Sequence, residues 1–191
     1  MHKVLADHIK RFISIDDKNL SDILQVFQLL KTEKKQNLLT EGKICQANYF
    51  VIKGCLRLFF INDKGVEQTT HFAIENWWLA DYTSFEKQEP STFFLQTVEK
   101  SQLLALYYTE QEKMLKHFPQ MERYFRLMHQ RANAAAQCRI KGLYELSREE
   151  SYRQFNKNYP EFVQRIPQYL LASFLGFTPE YLSEIRKKAI S

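Results

Sequence analysis

Residues 168 to 188 hold the side chains whose types and spacing imply chemistry. Counting from Gln168, the small Ala172 stands fifth and Gly176 ninth, with Leu171, Leu175, Leu182 and Ile185 around them. Two helices that cross steeply at a short turn need this set. A small residue lets the backbones approach, a glycine makes the turn, and apolar residues pin the second helix. Thr178-Pro179-Glu180 suits a helix start, with a capping hydroxyl, a proline at the first helical position and an acid in the first turn. With Leu182, Ile185 and Ala189 turned inward, helical geometry puts Glu180, Ser183, Glu184 and Lys187 on the opposite face. Glu180 can accept from cytosine N4, Ser183 can bond a base edge, and Arg186, Lys187 and Lys188 can reach phosphate or guanine. Thr178 and Tyr181 complete the candidate set. The spacing predicts a helix-turn-helix that enters the major groove of double-stranded DNA. Its competitor is a plain helical hairpin with a solvated charged face.

Charge is distributed to match. Residues 1 to 118 hold 15 Lys and Arg against 15 Asp and Glu, whereas residues 119 to 191 hold 12 against 7, so the whole net charge of +5 lies in the C-terminal part. That asymmetry is expected of a chain in which one region meets a polyanion.

Other functions find little support. The chain has no glycine-rich phosphate loop, nucleophile elbow or metal-ligand spacing, so neither an enzyme nor a metal or other cofactor is expected. Cys45, Cys55 and Cys138 are odd in number and far apart, which suits reduced thiols in the cytoplasm. Asp7, His8, Lys10 and Arg11 interrupt the stretch where a signal peptide would need an apolar run. No apolar run approaches the roughly 18 residues of a membrane helix.

The elements that must position the C-terminal motif follow from hydrophobic period. Two helical segments open the chain, about 2 to 13 and 17 to 30, the second marked by Leu20, Ile23, Leu24, Phe27 and Leu30, with Asp16 or Asp17 as N-cap. From about residue 37 the period becomes that of strands. Tyr49 to Ile61 and Val66 to Ala73 flank the turn Asn62-Asp63-Lys64-Gly65, Gly54 marks a bulge or bend, and Phe93 to Val98 and Gln102 to Tyr108 add two more strands. This predicts a β-sandwich or roll. After Thr109 the period is helical again. Between Pro119 and Leu146, residues Met121, Phe125, Met128, Ala132 and Ala135 are spaced 4, 3, 4 and 3, as on the seam of a coiled coil, and suggest a symmetric dimer. A helix lying on its own β domain is the alternative. Ser147-Arg148-Glu149-Glu150 reads as a capping box that starts a further helix.

Together with Glu41-Gly42 and Tyr49-Phe50-Val51-Ile52-Lys53-Gly54, the stretch from Pro167-Gln168 to Leu182 resembles the Crp/Fnr superfamily of transcriptional regulators, especially a subgroup common in Bacteroidetes. The likeness runs over nearly the whole chain. It implies an α+β fold in three parts. Residues 1–118 would form a cyclic-nucleotide-binding-like β-roll with N-terminal helices, 119–146 a dimerisation helix, and 147–191 a helix-turn-helix DNA-binding domain. It further implies a homodimer on a pseudo-palindromic operator. In nucleotide-binding members a Gly-Glu pair holds the ribose hydroxyl, and an Arg followed by Ser or Ala meets the cyclic phosphate. Here the matching stretches read Ala80-Asp81, beside Tyr82, and Pro90-Ser91, beside Thr92. A phosphate without its guanidinium loses a bond worth about 1.5 to 3 kcal/mol. Cyclic AMP binding is therefore not expected, and any effector is unknown. Trp77, Trp78, Tyr82 and Phe85 could line a different pocket but suit core packing better. Glu180 matches the family's base-reading glutamate. Glu184 and Pro179 stand where well-known members carry arginines, so the operator is expected to be this chain's own. A competing reading keeps the sensor and replaces DNA by protein partners.

Overall fold

The computed structural model describes residues 2 to 190, and the side chains of Ala189 and Ile190 lie outside the description, including the inward position expected for Ala189. The chain divides into two compact units. One comprises residues 1–60 and 71–131, and the other residues 61–70 and 132–191.

In the first unit, helices α1 (His2–Lys10) and α2 (Asp17–Gln25) precede β1 (Gln28–Thr32), β2 (Asn37–Leu39), β3 (Ala47–Lys53), β4 (Leu56–Ile61) and β5 (Glu67–Ala73). Then follow β6 (Trp78–Leu79), α3 (Tyr82–Lys87), β7 (Phe94–Thr97), β8 (Ser101–Tyr107), α4 (Tyr108–His117) and the long α5 (Gln120–Glu145). The strands make two four-stranded sheets, in the orders β1-β8-β3-β6 and β2-β7-β4-β5.

The central strands of the first sheet, β3 and β8, are buried on both faces. Along β3 and β8, Tyr49, Val51, Leu103 and Ala105 join the core between the sheets, with Leu56, Leu58, Leu79 and Leu95. Their neighbours Phe50, Leu104 and Leu106 point the other way, against Leu5 and Ile9 of α1, Ile23 of α2, and Met121, Tyr124 and Phe125 of α5. The two-residue period of a strand explains why these segments read as unbroken apolar runs.

The opening helices differ from expectation. Asp16 caps α2 by accepting from the Asn19 N–H at 2.8 Å, but the helix ends at Gln25. Leu30, expected on that helix, lies in β1 opposite Leu103. Pairing with β8 overrides the local helical period. The run from Tyr49 to Ile61 also breaks into two strands of different sheets. Gly54 sits between them at φ +114, and a Cβ there would run into the Ser101 side chain. Only glycine meets both demands.

The stripe read as a dimer seam is divided. Met121 and Phe125 are buried in the core of their own chain and Met128 packs partly against it, whereas Ala132 and Ala135 are exposed. The first half of α5 therefore serves the β-roll, as in the alternative weighed from the sequence.

One polar network ties α1 to α5 inside this core. Trp78 donates through Nε1 to the Tyr124 hydroxyl at 2.9 Å, and His8 Nδ1 lies 2.8 Å from the same oxygen. The hydroxyl can then donate to a neutral His8. Burial, reinforced by Arg11 and Arg131, pushes the His8 pKa from 6.5 down to about 4. An unfolded histidine keeps a pKa near 6.5, so between pH 6.5 and 4 the unfolded chain binds the extra proton. The stability that neutral His8 contributes is whole above pH 6.5 and is lost as pH falls toward 4. Urea denaturation from pH 7 to 4.5 should show wild-type stability dropping by up to about 3 kcal/mol. His8→Gln, which keeps an acceptor without titrating, should flatten that drop. Equal drops in both proteins would refute the role given to His8.

Candidate functional site

The second unit contains α6 (Arg148–Asn158), α7 (Pro160–Arg165), α8 (Gln168–Leu175) and α9 (Pro179–Ile190) besides the C-terminal half of α5. The turn between α8 and α9 is closed from the backbone. Gly176 adopts φ +75, its N–H bonds the Ser173 carbonyl at 3.2 Å, and the Phe177 N–H bonds the Ala172 carbonyl at 2.8 Å. This pair of bonds is the Schellman arrangement, which needs a left-handed residue after the helix. The Thr178 hydroxyl accepts from the Tyr181 N–H at 3.3 Å and starts α9.

Leu171, Ala172, Leu175, Leu182 and Ile185 are buried, so the small residue and the apolar residues expected to hold the two helices lie inside. Thr178, Glu180, Glu184, Lys187 and Lys188 are exposed, and Tyr181, Ser183 and Arg186 are half-buried. The structure thus gathers all eight candidate residues on or at the start of one short helix. That helix presents both signs of charge.

Several partners of this pair are invisible to periodicity. Ser147 and Glu150 form the expected capping box, with the Ser147 N–H donating to Glu150 at 2.9 Å and the Glu150 N–H to Ser147 Oγ at 3.3 Å. The Ser147 hydroxyl holds the Glu150 carboxyl below its usual pKa. Beyond it, Phe155 meets the rings of Tyr159, Phe162 and Phe174 at 5.2, 5.8 and 5.7 Å. Arg139 of α5 lies with its guanidinium 4.7 Å from the Phe174 ring. The Ser173 hydroxyl donates to the Glu67 carbonyl at 2.8 Å and accepts from the Thr69 N–H at 2.9 Å. One side chain of α8 thereby takes a place in the hydrogen-bonding row of β5. A lone serine in a helical pattern gives no hint of such a partner about a hundred residues away.

Of the positions expected to line an effector pocket, Asp81 and Ser91 bond each other. Asp81 is 5% exposed and caps α3, accepting from the Thr83 and Ser84 N–H groups at 3.2 and 3.4 Å. The Ser91 hydroxyl donates to the other carboxylate oxygen at 2.6 Å. Two backbone bonds, Gly42 N–H to Ser91 and Ser91 N–H to Lys43, at 2.8 and 2.9 Å, fasten the loop that carries Ser91. Ser84 Oγ accepts from the Cys45 N–H at 2.9 Å and donates to the Glu89 carbonyl at 2.5 Å. Ala80 is buried and Thr92 is exposed.

The aromatics divide likewise. Trp78 packs on Phe27, Phe50 and Phe125, Phe85 on Tyr108, and Tyr82 on the His129 ring at 4.8 Å. Trp77 is exposed. Burial raises the pKa of the Cys45 thiol and of the Tyr82 hydroxyl, which disfavours their ionised, reactive forms. Among the described residues no three His, Cys, Asp or Glu gather as a metal site, and no helix is long and apolar enough to cross a membrane.

Residues 29–118 match the family model described as the cyclic nucleotide-binding domain. No curated protein sequence matches the chain. Among solved structures, the chain is similar to the c-di-GMP responsive global regulator CLP of Xanthomonas campestris. The TM-score is 0.72 at 15% identity, covering 91% of each chain. A crp/fnr-family protein from Eubacterium rectale aligns with a TM-score of 0.72 at 12% identity, over 91% of this chain and 83% of its own. FixK2 from Bradyrhizobium japonicum aligns with a TM-score of 0.70 at 14% identity, over 85% and 83%. The chain is thus an α+β protein in which a cyclic nucleotide-binding β-roll is followed by a long helix and several C-terminal helices, an architecture it shares with Crp/Fnr regulators.

Proposed function

We propose that this protein is a homodimeric, sequence-specific DNA-binding transcriptional regulator that acts in the cytoplasm and catalyses no reaction. The observation that carries the reading is the α8–α9 pair. Its buried faces hold the small contact residue among leucines and an isoleucine, Gly176 closes the turn between the helices, and its outer face offers Glu180, Ser183, Glu184 and Lys187 together. In this reading α8 and α9 form a helix-turn-helix within a DNA-binding domain of residues 147–191. Base contacts come from Glu180, Ser183 and Glu184, and phosphate contacts from Thr178, Tyr181, Arg186, Lys187 and Lys188. The regulators to which the chain is similar lend the reading their fold.

Selection of bound duplexes from a random pool tests it. One sequence family should emerge, and its affinity should fall linearly in log–log coordinates as salt rises, with a slope of about −0.9 for each phosphate neutralised. Absence of salt-dependent binding to every duplex would overturn it. The exposed carboxylates of Glu180 and Glu184 favour a second reading, in which the face meets a protein. That reading requires duplex affinity and salt slope to stay unchanged when Lys187 and Lys188 become alanine.

For the dimer, the second half of α5 is the proposed seam. Ala132, Ala136, Ile140 and Leu143 continue the stripe past the β-roll at spacings of 4, 4 and 3, and Ile140 and Leu143 are 51% and 61% exposed. An apolar stripe of that kind suits a second copy of the same helix. Sedimentation should find a dimer in the wild type and a monomer after Ile140→Glu with Leu143→Glu. A monomeric wild type or a dimeric variant would count against the seam.

For the sensor, we propose that the bond between Asp81, at the position matched to the ribose-holding glutamate, and Ser91, beside the place of the missing arginine, leaves the β-roll without a cyclic-nucleotide site. Ligand at a hundred times its Kd adds about 2.7 kcal/mol of stability. Millimolar cyclic AMP or cyclic GMP should leave Tm unchanged, and a rise of several degrees with either would refute this part of the reading.

A further inference from the structure

We propose that the first turn of α6 forms a second part of the duplex-binding surface, in which Arg148 contacts a phosphate beside α9 and Glu149 acts as an internal competitor that holds Lys188. The inference rests on the DNA-binding reading above and adds to it two residues that the α8–α9 motif does not contain.

The two helices meet at both ends of α9. Near its start, the Arg148 guanidinium lies 5.5 Å from the Tyr181 ring, which is itself packed edge-on to Phe177 at 5.8 Å. Near its end, Lys188 Nζ lies 3.6 Å from Glu149 Oε1, with side chains 74% and 44% exposed. Tyr181 and Lys188 are seven residues apart and therefore share one face of α9. Glu184 lies between them on the same stripe, three residues after Tyr181 and four before Lys188. A carboxylate at that point repels the phosphate backbone. One cation at each end of the stripe offsets it, and α6 supplies the one at the Tyr181 end.

The arrangement also sets when Lys188 is available. Glu150 is committed to the backbone and hydroxyl of Ser147, so Glu149 is the first-turn acid of α6 that reaches α9. An exposed ion pair contributes little net free energy, whereas a phosphate contact also releases condensed counterions. Phosphate therefore displaces Glu149 from Lys188, and the carboxylate subtracts from the affinity that the lysine would otherwise give. Arg148 is held differently. A guanidinium over an aromatic ring keeps its charge and its outward N–H donors, which suits it to a phosphate oxygen.

Binding of the full-length protein to its selected duplex, measured from low to moderate KCl, tests the inference. Arg148→Ala should weaken binding several-fold, make the log–log salt slope shallower by about one, and leave sequence preference unchanged. Arg148→Lys, which keeps the charge, should restore most of the slope. Glu149→Gln should strengthen binding several-fold, and that gain should vanish when Lys188→Gln is present as well, because the carboxylate acts through the lysine. An unchanged slope in Arg148→Ala, in a protein that still binds, would overturn the role of Arg148. A Glu149→Gln gain of equal size with and without Lys188 would reduce Glu149 to general charge and overturn the pairing. A wild type that binds no duplex would instead remove the DNA-binding reading itself. Stronger retention by a polyglutamate matrix than by duplex, with the same dependence on Arg148, would reassign the surface to an acidic protein.

Discussion

The central strands β3 and β8 of the first sheet must bury both of their faces, and most of the first unit follows from that demand. One side is satisfied by the second sheet. The other needs a cover, because Phe50, Leu104 and Leu106 would otherwise lie open to water. The opening helices and the first half of α5 are that cover. Removing large apolar side chains from water at about 25 cal/mol per Å² makes such a cover obligatory rather than decorative. The bonds of Tyr124 to His8 and Trp78 then give the greasy interface a fixed register, since buried polar atoms tolerate few alternatives.

This division of labour along α5 explains what could be read from the amino-acid order and what could not. Its helical period, from about Pro119 to Leu146, was plain. Which part of the stripe faces the chain itself was hidden, because a buried Phe125 and an exposed Ala132 obey the same spacing. Leu30 misled for a related reason. Local periodicity carries no information about a strand such as β8, some seventy residues away, that recruits it. Short-range signals fared better. Asp16, the capping box at Ser147, and the Ala172–Gly176 turn are each settled within a few residues, so their chemistry is written locally. The Asp81–Ser91 bond and the Ser173 bonds were illegible because each joins a common polar residue to a distant partner that no pattern marks.

In the β-roll the side chain of Asp81 is engaged within the fold itself. Its carboxylate caps α3 through one oxygen and accepts the Ser91 hydroxyl through the other, so both oxygens have partners from the chain.

Ser173 carries a different lesson, about modularity. By taking the Glu67 carbonyl and the Thr69 N–H for itself, it draws the tip of the β4–β5 hairpin into the helical unit, although the rest of β5 belongs to the β-roll. The helical unit is therefore discontinuous in the gene. A segment cut from residue 132 onward carries all of its helices and none of its strand, and the serine would trade two fixed backbone partners for water. Recombination that swaps such a segment between relatives would carry over the helices but leave behind the hairpin that Ser173 holds.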